Sequence, residues 1–554
     1  MTAIESDDDR NVLVRHYRQI LLWPLQLMPL ADGESLQSPW EAFKEAGPSS
    51  PWQDISGEFS DEGGRFHRRH YNEFTTFLPT VQRFLYGENP GGRRSPWHSE
   101  SPLRVFRRTD VARTRVTYRR GEPPVLFDVG RVELYFFYDI DVVLLAVEIF
   151  ADDLNLQRVQ HTLYGFGRAY PLQWEPDGQA SHCLHSVEWL DAGGEVLAVS
   201  DYEQAERYVE FVNRFHAPRI ASHWDHLLRP LTPHDAGEAG PLAYRQIEYH
   251  RMPLAAYLSF DEPTALTRAD FVRLGLAAAP GGGETLPYAD RYLFGFEDRY
   301  CYDRYWKPGS AEIGARFICT GSTLLMIGSA AQSRFVDLET GLLAQFRHQY
   351  FMLFLVAHFH RAALLMFSER LVIALNRLDI RNADSVRRFK RGIRQILEVF
   401  LRFTHRYWFH EISDQAHARE LFRMCAQHLD TEGLFNDVRQ EVQDMGNYLD
   451  SDTLRRQSNS MLRLTVVTIM GMMASITTGF LGMNLIDEAH EPLATRAAYL
   501  LVGLVPAILV TFFAILRSRR LSDLLDVLSD ERVRAKTKYA AVGKVFVRRR
   551  GGPG

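Results

Sequence analysis

Two long uncharged apolar stretches near the C-terminus constrain the fold more than any other feature of the sequence. The first, LTVVTIMGMMASITTGFLGMNLI, covers residues 464–486, and the second, AAYLLVGLVPAILVTFFAIL, covers 497–516. A helix rises about 1.5 Å per residue, so each stretch is long enough to cross a hydrocarbon layer about 30 Å thick. Pro506 in the second stretch is tolerated in a lipid-spanning helix. We therefore predict a hairpin of two transmembrane helices joined by a polar loop at 487–496.

Cationic residues on the outer sides of this hairpin predict its orientation. The loop contains one arginine, Arg496, whereas three precede the first span and three follow the second: Arg455, Arg456, Arg463, Arg517, Arg519 and Arg520. By the positive-inside rule, both termini lie in the cytoplasm and the loop lies outside. The predicted location is a plasma membrane of the bacterial inner-membrane type, with lipid as one partner.

A third apolar stretch, YFMLFLVAHFHRAALLMF at 350–367, also approaches spanning length. It contains His358, His360 and Arg361, and a central arginine opposes insertion by about 2.5–3.5 kcal/mol. A third span would also place the two termini on opposite sides of the membrane. We predict a buried cytoplasmic helix here, with the two histidines serving packing or surface roles rather than binding a metal.

The remainder of the chain divides into two regions of different composition. Residues 1–335 are mixed and rich in aromatic side chains, with predicted strands in 104–120, 131–154 and 315–329 and helices in 157–170 and 203–220. Residues 336–463 are depleted in Gly and Pro and predict long stalk helices. The fold class is thus an α+β cytoplasmic domain, stalk helices, the hairpin, and a basic cytoplasmic tail at 517–554.

Composition and motifs exclude several classes of function. A formal net charge of −5 implies no general affinity for nucleic acid. Four cysteines lie apart without CxxC spacing, which argues against a disulfide framework or a structural zinc site. The HCLH motif at 182–185 lacks a second ligand pair, so we do not predict a metal there. No P-loop, nucleophile elbow or HExxH occurs, and we predict neither an enzyme nor a prosthetic group.

A helical repeat runs from the stalk into the first span. Val438, Val442, Met445 and Leu449 form one stripe, and after a skip the repeat resumes: Ser458, Met461, Thr465, Thr468, Met472, Ser475 and Gly479. Hydroxyl groups in a membrane favour a water-filled axis over lipid. Small residues at 471, 475 and 479 favour close helix packing, which is the stronger interpretation on spacing alone. Pore lining and packing are compatible, and both remain open at this point.

The first span ends in Gly482-Met483-Asn484 and is followed by a short acidic loop and a second span with cations after it. A long helix leading into this arrangement resembles the CorA family of divalent-cation channels, whose signature is Gly-Met-Asn. The resemblance covers roughly residues 430–520. It implies a homopentamer in which the first span lines the pore and the second packs outside it.

The resemblance also implies roles for individual residues. Gly482, Met483 and Asn484 would form the selectivity filter at the outer mouth, and Leu464 and Met472 fall where the family narrows its pore. Thr465, Thr468, Ser475 and Gly479 would line the conduit. The family's inhibitory cation sites use acidic side chains, for which the candidates are Asp444, Asp450 and Asp452.

Elementary chemistry agrees with such a filter. Mg²⁺ loses its water reluctantly, so a neutral oxygen such as that of Asn484 suits the hydrated ion. Asp487, Glu488 and Glu491 would concentrate cations outside the mouth, although an ordinary solvated loop explains them equally well. The membrane potential alone would drive uptake, at about 2.3 kcal/mol per charge per 100 mV. The expected ions are Mg²⁺, then Co²⁺ and Ni²⁺.

Other interpretations stay open. A Zn²⁺ transporter of the ZntB type is less favoured because that group typically changes the residue at position 483. A membrane-anchored scaffold or regulator whose hairpin no longer conducts is the main alternative. The basic tail either binds anionic lipid or is a solubilising extension. Because Asn484 follows Gly479 by five residues, it leaves the stripe, and we predict that the helix ends or unwinds near Gly482.

Overall fold

The computed structural model describes residues 12–28, 39–41, 50–56, 68–87, 102–236, 240, 242–247, 250–281, 285–307, 314–379 and 382–482. Beyond these it describes short pieces at 492–495, 497–498, 501–502, 505–506 and 509, and for some helical residues, including 450–460, the backbone alone. The chain divides into two compact units, Met1–Val442 and Gln443–Gly554.

Within the described residues of the first unit, fourteen strands form one mixed sheet. In chain order they are β1 (Leu13–Met28), β2 (Trp52–Asp54), β3 (Leu103–Arg108), β4 (Arg113–Thr117), β5 (Val125–Phe137), β6 (Ile140–Asn155), β7 (Ser186–Leu190), β8 (Val196–Val199), β9 (Leu231–Pro233), β10 (Leu242–Gln246), β11 (Leu254–Phe260), β12 (Cys301–Tyr302), β13 (Arg316–Cys319) and β14 (Thr323–Ser329). The long path through the sheet is β12-β13-β14-β11-β1-β6-β5-β4-β7-β8.

The central strand β1 is buried along most of its length. One edge pairs with β6 from Leu13 to Gln26. The other edge pairs first with β11 and then, from Leu25 onward, with β10. Pro24, which has no N–H to donate, lies between these two partners, where the edge changes strand. A strand buried on both faces carries an almost continuous apolar run, as ILLWPLQLM does.

The predicted hairpin in 131–154 is confirmed. Strands β5 and β6 pair antiparallel, and the chain turns at Asp139, whose φ is 61°. Aspartate is one of the few residues with a side chain that adopts this left-handed conformation readily. The stretches 104–120 and 315–329 each contain two of the strands given above, β3 with β4 and β13 with β14.

The described helices are, in chain order, α1 (Arg68–Thr76), α2 (Pro79–Tyr86), α3 (Leu156–Gly165), α4 (Ala205–Phe215), α5 (Ser222–Leu228), α6 (Arg268–Leu276), α7 (Asp290–Leu293), α8 (Phe296–Tyr300), α9 (Ser333–Val336), α10 (Leu342–Gln345), α11 (Phe351–Asn376), α12 (Ala383–Arg406), α13 (Ala416–His428) and α14 (Thr431–Gly482). A π-helical turn, Phe346–Tyr350, joins α10 to α11. Both predicted helical stretches in the first 335 residues contain a helix, namely α3 and α4.

Helix α11 packs on β6 and β1, while α12 and α13 pack on α11. Among the described residues, one helix is long and apolar enough to cross a membrane: Leu342–Asn376, whose apolar segment is 83% buried within the protein. The prediction that 350–367 forms a buried helix is confirmed. His358 Nε2 lies 3.2 Å from the carbonyl oxygen of Gly321, and His360 Nε2 lies 2.7 Å from that of Tyr407, so both histidines join this helix to its neighbours.

Buried charges join the π-helical turn to the sheet. Glu148 on β6 is fully buried. Its carboxylate oxygens form ion pairs with guanidinium nitrogens of Arg18 at 2.6 Å, Arg131 at 3.1 Å and Arg347 at 2.9 Å. Arg131 lies directly opposite Glu148 on β5 and stacks 4.1 Å from the centre of the Phe351 ring. Burial by itself would raise the pKa of Glu148, but Arg131, Arg347 and Arg18 together lower it to about 2. The carboxylate therefore stays ionised in the core.

Candidate functional site

Helix α14 carries most of the residues that the sequence identifies as functional. It begins at Thr431, three positions after α13 ends at His428, and continues to Gly482. In the part of the helix that belongs to the first unit, two residues of the predicted apolar stripe, Val438 and Val442, are buried. The helix is 52 residues long, so it rises about 77 Å if straight.

The predicted lining residues share one face of this helix. With about 100° of rotation per residue, positions 464, 465, 468, 472, 475, 479 and 482 fall within an arc of about 100°. In the single chain the side chains described on this face are exposed, with Leu464 at 68% and Met472 at 60%. Thr465, Thr468 and Ser475 are exposed as well. Because the helix is continuous to Gly482, the predicted lining positions share one face with this first residue of the Gly-Met-Asn signature.

Two threonine hydroxyls on this face donate to the helix backbone. Thr465 Oγ1 lies 2.9 Å from the carbonyl oxygen of Met461, and Thr468 Oγ1 lies 2.8 Å from that of Leu464. A hydroxyl has one proton and two lone pairs. Since the proton is engaged by the backbone, the oxygen offers acceptor capacity to whatever lies outside the helix.

Small residues on α14 leave open space beside the helix. A Cβ atom added to Gly471 or Gly479 would meet no described atom within 4 Å. Within the described residues, therefore, this small-residue ladder has no packing partner in the same chain. Both packing and pore lining would require contacts with residues other than the described residues of this chain. The two interpretations therefore stay compatible.

Several predicted residues lie outside the described ones. Met483, Asn484 and the loop acids Asp487, Glu488 and Glu491 belong to this group, as does the tail at 517–554. The prediction that the helix ends or unwinds near Gly482 also concerns these positions and stays a prediction. In the second predicted span, the seven described residues are all helical.

The three candidate regulatory acids do not share one face of α14. Asp444 is exposed, and positions 450 and 452 are helical in backbone. About 600° of helical rotation separates 444 from 450, which places 450 roughly 120° from 444, and 452 lies about 12 Å further along the axis than 444. Within the described residues, no group of three or more His, Cys, Asp or Glu side chains is arranged to hold a metal.

The two histidines of HCLH turn to different partners. His182 has a φ of 64° and its Nδ1 meets the Tyr164 hydroxyl, whereas His185 Nδ1 lies 2.7 Å from Glu203 Oε1. His250, whose ring centre lies 6.4 Å from that of His182, is held 2.9 Å from Arg168 Nη1. The motif therefore does not present its histidines as one ligand pair.

No pattern in the sequence indicates a contact between Cys319 and Cys425. These residues are 106 positions apart, yet their sulfur atoms lie 3.2 Å from each other. Cysteine spacing along a chain detects local motifs such as CxxC, and this pair is created by packing between a strand and a helix. An alternative signal, apolar neighbours on both sides of each cysteine, predicts burial but not pairing.

A scan of family models and a search of curated proteins find no match for this chain.

Proposed function

We propose that this chain forms a homopentameric, CorA-like channel for passive uptake of divalent cations, chiefly Mg²⁺, across a plasma membrane. The observation that carries the proposal is the exposed face of α14, on which every predicted lining position shares one arc with Gly482. In the proposed assembly, five copies of α14 turn this face to a common axis. The second span at 497–516 packs outside them, and the first unit is cytoplasmic.

The chemistry of this face suits a hydrated cation. The first-shell waters of Mg²⁺ direct their protons outward, so the conduit needs acceptors. Thr465 and Thr468 supply them, because each hydroxyl proton is donated to the backbone. Asn484 would add a ring of neutral oxygens at the mouth. The ion then passes with its water retained, held by many weak contacts rather than by charge.

Two apolar positions on the same face supply a gate. Leu464 and Met472 are eight residues apart, or about 12 Å along the axis. Rings of such side chains exclude water from a narrow pore and close it by dewetting. Between them lies Thr468, so the closed pore would alternate apolar and polar layers.

The first test is transport by purified protein in liposomes that contain a Mg²⁺-sensitive dye. We expect Mg²⁺ entry that rises with an inside-negative potential and is lost in Asn484→Ala. Thr468→Val removes one acceptor without changing shape and should slow entry. Thr477→Val is the matched control, because position 477 lies about 180° around the helix from 468.

Absence of flux in all variants, including the wild type, would overturn the proposal. In that case a pentameric particle would favour the membrane-anchored scaffold, and a particle without five-fold symmetry would exclude the pore arrangement as well. Faster entry of Zn²⁺ than of Mg²⁺ under competition would favour the ZntB-type alternative.

A further inference from the structure

Two thiols from distant parts of the sequence meet in the core of the first unit. Cys319 is the last residue of β13, and Cys425 lies in the final turn of α13. Both are fully buried, both are free thiols, and their sulfur atoms are 3.2 Å apart. The other two cysteines, Cys183 and Cys301, are half-buried.

The surrounding backbone holds this contact in place. The turn between β13 and β14 passes through Gly321, whose φ is +86°. A Cβ atom there would lie 2.9 Å from the carbonyl oxygen of His428, so α13 approaches the turn as closely as a glycine permits. His358 on α11 hydrogen-bonds the Gly321 carbonyl from the core side. The β13–β14 turn, helix α13 and the buried His358 thus hold the two thiols in contact before any reaction occurs.

The two sulfur atoms differ in acidity. The S–H···S contact with Cys425 lowers the pKa of the Cys319 thiol; burial opposes this, and a hydrogen bond from the Gly321 backbone assists it. The same S–H···S bond and burial raise the pKa of Cys425. The Gly321 backbone hydrogen bond favours the thiolate form of Cys319, so we assign Cys319 as the thiol that attacks first and Cys425 as the partner that reacts second. Burial raises the pKa of Cys183 and of Cys301 to about 12, which keeps them protonated.

We propose that Cys319 and Cys425 are a redox-sensitive pair that closes to an intramolecular disulfide when a small peroxide reaches it. This modification site is independent of the proposed transport activity and extends the molecule's function to redox sensing. A local opening admits the peroxide, and the contact between the sulfurs makes the second step effectively unimolecular.

The chemistry balances with hydrogen peroxide as the oxidant. The Cys319 thiolate attacks one peroxide oxygen, the O–O bond breaks, and the leaving hydroxide takes up a proton to become water. The resulting sulfenic acid is attacked at sulfur by Cys425; the S–O bond breaks and hydroxide leaves with the proton that Cys425 releases. Two thiols are oxidised to one disulfide, and one peroxide is reduced to two waters. A thiol reductant such as glutathione reverses the step by exchange.

The cross-link would tie strand β13 to α13, the helix that precedes α14. Since α13 ends at His428 and α14 begins at Thr431, a bond at Cys425 restrains the start of the long helix. The closed loop would contain over a hundred residues, the kind of cross-link that most restricts the unfolded chain in the loop-entropy account. Oxidation should therefore raise the temperature at which the first unit unfolds.

The test counts thiols on the full-length protein in detergent at pH 7.5. After reduction, removal of the reductant and a brief treatment with hydrogen peroxide, the protein is denatured, alkylated and weighed. We expect the four cysteines to fall to two free thiols, with a 319–425 cross-linked peptide in a non-reducing digest. Dithiothreitol should restore all four, and Cys183 and Cys301 should react at least roughly tenfold more slowly than the pair.

Two variants complete the experiment. The double variant Cys183→Ser, Cys301→Ser should still lose both of its thiols, whereas Cys425→Ala should form no intramolecular disulfide and accumulate sulfenic acid at Cys319. Persistence of four free thiols in the wild type would overturn the proposal, and so would a cross-link that involves Cys183 or Cys301 instead. The wild-type measurement decides this even where a variant folds poorly.

Discussion

Arg347 Nε lies 2.9 Å from Oε1 of Glu148, and this contact ties the π-helical turn to the centre of the sheet. The turn directs Arg347 inward, where Arg18 and Arg131 already face the same carboxylate. A π-helical turn places one extra residue in a helix and re-aims the side chains around it. The geometry explains how a layer of helices that follows the sheet in sequence is fixed to it by charge as well as by apolar contact.

Neutralising Glu148 should destabilise the first unit severely. Glu148→Gln preserves shape but removes the fully buried charge that Arg18, Arg131 and Arg347 share. Glu133, whose carboxylate lies 3.8 Å from Arg131, does not replace it for Arg18 and Arg347, and we expect a loss of about 3–5 kcal/mol in the free energy of unfolding. Urea unfolding followed by tryptophan fluorescence measures it. Glu398→Gln is the matched control, since Glu398 forms an exposed pair with Arg402 on α12 and should change stability by under about 0.5 kcal/mol. Equal midpoints for the two variants would contradict the prediction.

The buried histidine His358 should make the protein sensitive to mild acid. Burial lowers its pKa to about 3, far below the usual value of 6.5. Between pH 3 and pH 6.5 the unfolded chain binds a proton at this histidine and the folded chain does not. The contribution of neutral His358 to the free energy of unfolding is therefore fully present above pH 6.5 and is lost as the pH is lowered. At pH 5 the loss attributable to His358 is about 2 kcal/mol.

His358→Gln tests this assignment, because its amide keeps a donor near the position of Nε2. The variant should be less stable than the wild type at pH 7 but should lose about 2 kcal/mol less between pH 7 and pH 5. His405→Gln, at an exposed position of α12, should retain the wild-type slope. A slope unchanged by His358→Gln would show that other groups carry the acid sensitivity.

Local patterns predicted those elements whose evidence lies within a short stretch of sequence. The β5–β6 hairpin follows from β-branched and aromatic residues on either side of Asp139, and α11 follows from an apolar run that contains Arg361 and two histidines. In the structure, Arg361 Nη1 donates a hydrogen bond to the carbonyl oxygen of Leu429 at 2.6 Å.

The central strand β1 was not predicted, because its sequence lacks an alternating pattern and contains Pro24. Its stability depends on partners more than a hundred residues away, β6 and β11, which no local signal identifies. The same limitation applies to Cys319 with Cys425 and to Glu148 with Arg347. For the predicted lining positions, helical periodicity alone indicates a shared face, because the spacing of residues along a helix sets the direction of each side chain.

Met472 should control leakage through the proposed pore. Met472→Ser replaces an apolar ring by hydroxyl groups, which removes the dewetting barrier and should raise Mg²⁺ entry several-fold under conditions that close the wild type. Dye-loaded liposomes measure the initial rate. Met473→Ser is the matched control, because its helix position is turned about 100° from Met472 and away from the lining arc. Equal rates in the two variants would count against Met472 as the constriction.

Gly471 should matter for assembly and not for folding of the first unit. A side chain at this position meets no described atom of its own chain, so Gly471→Leu should leave the unfolding midpoint of the first unit unchanged. In a pentamer with closely packed first spans, the same leucine would force neighbouring helices apart. Light scattering in detergent should show loss of the five-chain particle and a shift to smaller species, while Ile469→Leu, on an exposed position of the same helix, should assemble normally. A Gly471→Leu protein that stays pentameric would mean that position 471 does not lie between neighbouring first spans, and the packing interpretation of this residue would then be wrong.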